Sequence, residues 1–204
     1  MTDPAWDDEN QSMVEHFSSL VERYGIDHRS LDWGSRESQE LRFDAMCAMG
    51  DLQGSTILDV GCGTGDFLDY LTRRGIELDY TGYDIAPAMI DLAKRRFPGA
   101  RFAVRDLHGQ VEERGGFDYV MASGIFSLRK VRPFEFMAAM VRKMFQRCRK
   151  GAAFNSLSTS ASRKVPGEFY CNPGDALRMC LSLSPRVLLR HDYLPHDFTV
   201  FLYR

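Results

Sequence analysis

From Asp59 to Asp66 the chain reads Asp-Val-Gly-Cys-Gly-Thr-Gly-Asp. Glycines at 61, 63 and 65 remove every Cβ that would keep a ligand off the backbone, and they permit positive φ. Something therefore approaches this main chain closely. Carboxylates at 59 and 66 flank the turn, where they would repel a pyrophosphate but suit a sulfonium or an ammonium group. Asp84, nineteen residues beyond Gly65, closes the run Tyr80-Thr81-Gly82-Tyr83. A carboxylate at the end of a second strand can accept both hydroxyls of a ribose. A dinucleotide-binding GxGxxG turn would need its third glycine at 66, where this chain has Asp.

These groups need a strand, a tight turn and a helix to hold them, and the pattern supplies all three. From Thr56 onward short apolar runs alternate with helical stretches, as in a parallel sheet covered on both faces. Strands are expected near 56–60, 79–84, 101–104, 117–122, 151–157, 186–192 and 197–203, and helices near 65–74, 87–96, 134–149 and 173–183. The turn Leu194-Pro195-His196-Asp197 is too short for a parallel crossover, so the seventh strand must run antiparallel. Ahead of the sheet, Met13, Val14, Phe17, Leu20 and Val21 recur at helical spacing up to Gly25. A second helix near 35–49 follows Asp32-Trp33-Gly34, with Ser35 as its N-cap. Two helices in residues 1–49 thus precede the sheet, within the same domain as residues 50–204.

In this order the motifs resemble those of class I S-adenosylmethionine-dependent methyltransferases of the small-molecule type. The E/DxGxGxG turn of that family is Asp59-Val60-Gly61-Cys62-Gly63-Thr64-Gly65, and its FDxVxxxxxF fourth strand is Phe117-Asp118-Tyr119-Val120 through Phe126. The resemblance implies an α/β fold: a Rossmann-like seven-stranded sheet with an antiparallel last strand, helices on both faces and two N-terminal helices as a lid. It implies S-adenosyl-L-methionine as cofactor, bound by Asp59, Gly61, Cys62, Gly63, Thr64, Gly65, Asp84, Ile85, Met89, Asp106, Leu107, Ser123 and Gly124. Asp106 would meet the adenine amino group, with Leu107 against the ring.

The methyl acceptor is approached by exclusion. An [ND]PP[YF] motif for amino groups of nucleic acids and glutamine is replaced by Ala122-Ser123-Gly124-Ile125. The paired glutamates of protein arginine methylation are missing from Ser123 to Arg129. Ser123 and Asn155-Ser156 make a poor cage for Mg²⁺, so no metal is expected. Ligands of α/β proteins bind at the carboxyl ends of strands, which points to Ser127, Arg129 and Asn155 for the substrate; the resemblance implies N-terminal helices folded over the cofactor, which adds Trp33, Arg36 and Arg42, and Tyr170 follows the polar loop. His191, Tyr193 and His196 are the candidates for catalysis or acceptor binding, against a bland reading as turn residues. Arg163 and Lys164 mark a polar loop that could gate an anionic substrate.

Composition narrows the partners. The chain has 204 residues, a formal net charge of −2 and five scattered cysteines with no CxxC pair. That balance gives no general attraction to nucleic acid, the thiols read as reduced and packed, and no apolar run approaches the roughly 20 residues of a membrane span. The acidic opening, MTDPAWDDENQ, lacks the basic start and apolar stretch of a secretory signal. A cytoplasmic monomer or homodimer acting on a small metabolite is expected, by metal-independent methyl transfer to O, N or S. Transfer of a modified methyl such as carboxymethyl, a non-catalytic adenosyl-binding subunit and a nicotinamide oxidoreductase are the alternatives.

Overall fold

Alternation of side chains along each strand sets the two layers that cover the sheet. A computed structural model describes residues 4–109 and 116–204, so the first three residues of the acidic opening lie outside the described residues. Strands β1 (Thr56–Val60), β2 (Asp79–Asp84), β3 (Arg101–Val104), β4 (Phe117–Ala122), β5 (Cys148–Leu157), β6 (Val187–Leu194) and β7 (Asp197–Tyr203) form one sheet in the order β3-β2-β1-β4-β5-β7-β6. The first five are parallel, while β7 runs antiparallel to both β5 and β6. That is the expected seven-stranded sheet with its antiparallel last strand.

Six α-helices accompany it among the described residues: α1 (Pro4–Tyr24), α2 (Arg36–Cys47), α3 (Asp66–Arg73), α4 (Pro87–Arg96), α5 (Pro133–Arg147) and α6 (Pro173–Leu181). On one face Leu58, Val60, Val120, Ala122, Ala152, Phe154 and Val200 pack against Met137, Val141 and Met144 of α5 and Ala176 and Cys180 of α6. On the other, Ile57, Tyr119, Met121, Ala153 and Phe201 meet Phe43 and Met46 of α2, Phe67 and Leu71 of α3, and Ile90 and Ala93 of α4. Burying each large apolar side chain contributes about 1.5–3 kcal/mol, and this double coverage explains why the central strands read as nearly continuous apolar runs.

Several boundaries differ from the sequence reading. β5 starts at Cys148 instead of 151, and α5 ends at Arg147. Arg149 and Lys150 therefore stand on a strand, where both approach Asp118 (3.3 and 3.6 Å), and do not belong to a helix end. α1 begins at Pro4, four residues before Asp8, where the helical pattern is expected to start. Between the lid helices a single 3₁₀ turn, His28–Leu31, is built by Asp27, whose side chain accepts from Arg29 N. Asp32 then takes a left-handed conformation (φ 59°) and turns the chain toward Ser35, which caps α2 by accepting from Ser38 N at 3.1 Å.

Candidate cofactor and acceptor site

The carboxyl ends of β1, β2 and β4 open into a pocket that is roofed by the N-terminal elements. β1 delivers the chain into the glycine turn, and Gly61, Gly63 and Gly65 all adopt positive φ (74°, 52° and 84°). Side chains could not be added there. A Cβ on Gly61 would stand 2.2 Å from Ile125 Cγ2, and one on Gly63 would stand 2.2 Å from Leu31 Cδ2. The turn is tied to β2 by Gly61 N and Cys62 N, which both donate to Tyr83 O (2.7 and 3.0 Å). Gly65 caps α3 without a side-chain hydrogen bond.

Asp59 is buried in this turn, and burial pushes its carboxyl up to about 7. Tyr80 opposes that shift by donating its hydroxyl to Asp59 Oδ2 at 2.5 Å. A buried carboxyl with a raised pKa stands ready for a cationic ligand that would hold it ionised. Asp84 is oriented by two amides: Gly63 N donates to Oδ2 and Ala86 N to Oδ1, each at 2.9 Å. Burial raises its pKa as well, and the amides of Ala86 and Gly63 pull it back down. Each of its oxygens retains accepting capacity for a ribose hydroxyl.

Asp66 has a different setting from the one its sequence position implied. Arg96 reaches from α4 to donate Nη1 to Asp66 Oδ1 (2.7 Å), Thr64 O (2.7 Å) and Thr64 Oγ1 (2.9 Å). The negative charge of Asp66 is thus compensated internally, and the repulsion argument against a dinucleotide rests on Asp59 and the glycine spacing.

At the other end of the pocket Asp106 accepts from His108 N (2.7 Å) and from Asn10 Nδ2 (2.8 Å). Asn10 belongs to α1, and its Oδ1 accepts from Arg129 Nη2 at 2.6 Å. Glu9 beside it pairs with Arg129 Nη1 (3.3 Å) and accepts from the amides of Lys130 and Val131 (2.6 and 3.2 Å). Trp6 Nε1 donates to Val131 O at 2.8 Å. The first turns of α1 therefore clasp the loop that follows β4. The Arg129 guanidinium also lies 3.9 Å from the centre of the Phe136 ring.

Of the expected cofactor residues, Asp59, Gly61, Cys62, Asp84, Ile85, Met89, Asp106, Leu107, Ser123 and Gly124 line the pocket, whereas Gly63, Thr64 and Gly65 shape the turn behind it. Of the expected substrate residues, Trp33 and Arg129 line it. Trp33 covers the tip of β4, where a Cβ on Gly124 (φ 77°) would be 2.7 Å from its ring. The other five lie outside the lining. Arg36 is exposed and pairs with Glu40 and Asp69. Arg42 is buried against Asp197 Oδ2 (2.8 Å) with its guanidinium 4.8 Å from the Trp33 ring. Asn155 pins the β4 tip, accepting from Gly124 N (2.9 Å) and donating to Ser123 Oγ (2.8 Å). Ser127 takes Phe169 N on its carbonyl (2.7 Å), and the Tyr170 hydroxyl joins Val165 N to Glu168.

The three catalytic candidates lie outside the pocket lining. The Tyr193 hydroxyl donates to Asp197 Oδ1 (2.6 Å) and meets Thr199 Oγ1 (2.9 Å), and its burial pushes the phenol well above its ordinary value. It completes the network that holds Arg42 and is poorly disposed to exchange a proton. His191 packs against Phe198 at 6.2 Å, and the His196 carbonyl accepts from Ser158 N. The β6–β7 hairpin forms that edge of the sheet.

Sequence reasoning missed much of the lid side: Met13, Phe17, Leu31, Gln39 and Phe43, together with Arg105, Leu128, Phe136 and Met140, also line the pocket. Met13 and Phe17 had a visible signal, since both belong to the apolar stripe of α1. Gln39 stands one helical turn before Phe43, a polar residue in an otherwise apolar row.

Comparison with known proteins agrees with this geometry. The methyltransferase domain family matches residues 57–151. Rv1506c of Mycobacterium tuberculosis, which carries a methyltransferase name, is 35% identical over 154 residues, covering 72% of this chain and 92% of its own length. The malonyl-[acyl-carrier protein] O-methyltransferase of Acetivibrio thermocellus is 30% identical over 61% of this chain, which spans only half the length of that relative. In fold, the chain superposes on the magnesium protoporphyrin IX methyltransferase of Synechocystis, solved with bound SAH, with a TM-score of 0.67, 14% identity and 97% coverage of both chains.

Proposed function

Since the chain belongs to the class I S-adenosylmethionine-dependent methyltransferases, we propose that it methylates an oxygen, nitrogen or sulfur nucleophile of a small, mainly apolar metabolite without a metal ion. S-adenosylmethionine is its methyl donor, and the site fits it: a backbone cradle without Cβ atoms, a buried carboxyl awaiting a cation, and a ribose-facing carboxylate. When bound, this cofactor supplies an electrophilic methyl group on a sulfonium, transferable by in-line displacement.

The observation that carries the acceptor class is the lining beyond the strand tips. Met13, Phe17, Leu31, Trp33 and Phe43 come from the lid, and Ile125 and Leu128 come from the segment after β4. An apolar wall of this kind excludes water and selects by shape, while a few polar groups fix orientation. Among the described residues no three His, Cys, Asp or Glu side chains converge as a cation site. The O-methyltransferase name of the Acetivibrio relative favours oxygen as the attacked atom.

Each residue then has a positioning task. Asp84 orients the ribose, Asp106 and Leu107 hold the adenine, and Asp59 holds the α-ammonium group. Trp33 and Phe43 keep water from the reacting centre, and Asn155 fixes the Ser123–Gly124 floor beneath it. Catalysis of this kind comes chiefly from proximity and alignment. Arg42 and Arg129 are already engaged by Asp197 and Glu9, which favours plain methyl over carboxymethyl transfer.

Among the described residues no helix is long and apolar enough to cross a membrane. A cytoplasmic monomer or homodimer with no nucleic-acid partner completes the reading, supported by five free cysteines and the net charge of −2. The test is transfer of radiolabelled methyl to a panel of phenols, carboxylic acids, thiols and amines, with and without EDTA. Label extractable into organic solvent and unaffected by EDTA is expected. Transfer restricted to RNA or protein, or transfer that needs added Mg²⁺, would overturn it.

A further inference from the structure

Two sides of α2 are committed to neighbours. Arg36 and Glu40 pair with Asp69 and Arg73 of α3 (3.4 and 2.6 Å). On another side, Arg42 pairs with Asp197 of β7, and Asn155 of β5 reaches Met46 Sδ at 3.8 Å. At 100° per residue, position 39 falls between those two sides. In the sheet, β1 and β4 lie between β2 and β5, so this direction leads to the tips of β1 and β4. Gln39 does line the pocket there, together with Asp59, Gly61, Ser123 and Gly124.

Gln39 is only 3% exposed, and its Nε2 has no hydrogen-bond partner. A buried amide donor without an acceptor lowers stability unless a ligand supplies one. Among the described residues the other two unpartnered buried side-chain nitrogens are elsewhere. Arg129 Nε belongs to the clasp at the Asp106 end, and His191 Nε2 is on β6 outside the lining. Near the glycine turn the same space receives the start of α3, whose cap residue Gly65 offers no side-chain acceptor. A ligand group placed here must accept hydrogen bonds from above and lie beside the Asp59 carboxyl.

We propose that Gln39 Nε2 donates to the α-carboxylate of the cofactor while Asp59 takes its α-ammonium. The lid helix α2 thereby reads the intact amino-acid end and discriminates against adenosine thioethers that lack it. This rests on the cofactor assignment above.

Calorimetry with two probes tests it: S-adenosylhomocysteine, and 5′-methylthioadenosine, which has the same nucleoside and no amino acid. For Gln39→Leu, S-adenosylhomocysteine binds about tenfold more weakly and 5′-methylthioadenosine within about twofold of wild type. Gln39→Glu, which opposes a carboxylate, weakens S-adenosylhomocysteine further. The apo melting temperature of Gln39→Leu is expected to match or exceed that of wild type, because the unpartnered donor is gone. Equal loss for both probes, or unchanged S-adenosylhomocysteine affinity, would overturn the role of Gln39. Failure of the wild-type protein to bind S-adenosylhomocysteine would instead overturn the cofactor assignment, and this role with it.

Discussion

The Tyr80 hydroxyl donates to Asp59 Oδ2 across 2.5 Å, from β2 to the neighbouring β1, and holds this carboxylate in a buried place. Desolvation disfavours the charged form and Tyr80 favours it, and burial prevails, leaving Asp59 near pH 7. The charge at the entrance to the glycine turn is therefore set by what binds there.

Cofactor affinity should consequently depend on pH. Without ligand, Asp59 is protonated below about 7, and a cationic ligand favours its ionised form. S-adenosylmethionine binding therefore releases a proton, and affinity rises from pH 6 toward pH 8 before levelling. Calorimetry in buffers of different ionisation enthalpy measures that proton. Asp59→Asn should bind weakly with a flat profile, and Tyr80→Phe should move the midpoint upward.

The same group shapes apo stability in the opposite sense. Its folded pKa exceeds its unfolded one, so the folded state holds the extra proton between about 3.8 and about 7. Stability from this group is greatest below that window and declines through it, by about 4 kcal/mol at most. In urea titrations at pH 8, apo Asp59→Asn should be more stable than wild type, and near pH 4 the two should converge.

Asp84→Ala removes an acceptor that the Gly63 and Ala86 amides hold in place. Loss of hydrogen bonds to a charged group costs about 1.5–3 kcal/mol, or roughly 10- to 100-fold in affinity. Competition binding with adenosine should show the full loss, and unchanged affinity would refute the ribose-binding role.

Gly124→Ala is expected to disturb the lid. A left-handed residue with a Cβ costs about 1–2 kcal/mol, and the new methyl would meet the Trp33 ring at 2.7 Å. Tryptophan fluorescence should shift as Trp33 is displaced, and turnover should fall with little change in the adenosine-binding half.

Arg42→Met leaves Asp197 and the Tyr193 hydroxyl buried without their cation. Removing one partner of a buried pair costs about 3–5 kcal/mol. Thermal denaturation should report this loss, and the double variant Arg42→Met with Asp197→Leu should recover much of it.

The strand order, the glycine turn and Asp84 were legible because each is a local demand: strand period, positive φ, and a carboxylate at a strand end. What escaped is long-range. Nothing near Arg96 in sequence indicates that it will neutralise Asp66 thirty residues away, and nothing near Tyr193 indicates that Asp197 and Thr199 will occupy its hydroxyl. His191, Tyr193 and His196 were singled out because strand tips face ligands in such sheets. Here the hairpin that bears them forms the sheet edge, and the N-terminal elements supply pocket-lining residues in their place. The lid's own lining was half visible, since the period of Met13 and Phe17 announces a buried face without saying what it covers.

Asp197, which anchors Arg42 and through it Trp33, stands 155 residues beyond Arg42 in the sequence. During synthesis the glycine turn and its ribose carboxylate leave the ribosome long before β7 does. A nascent chain can therefore shape the nucleoside half of its site early, while the roof over the reacting centre waits for one of the last strands to be threaded.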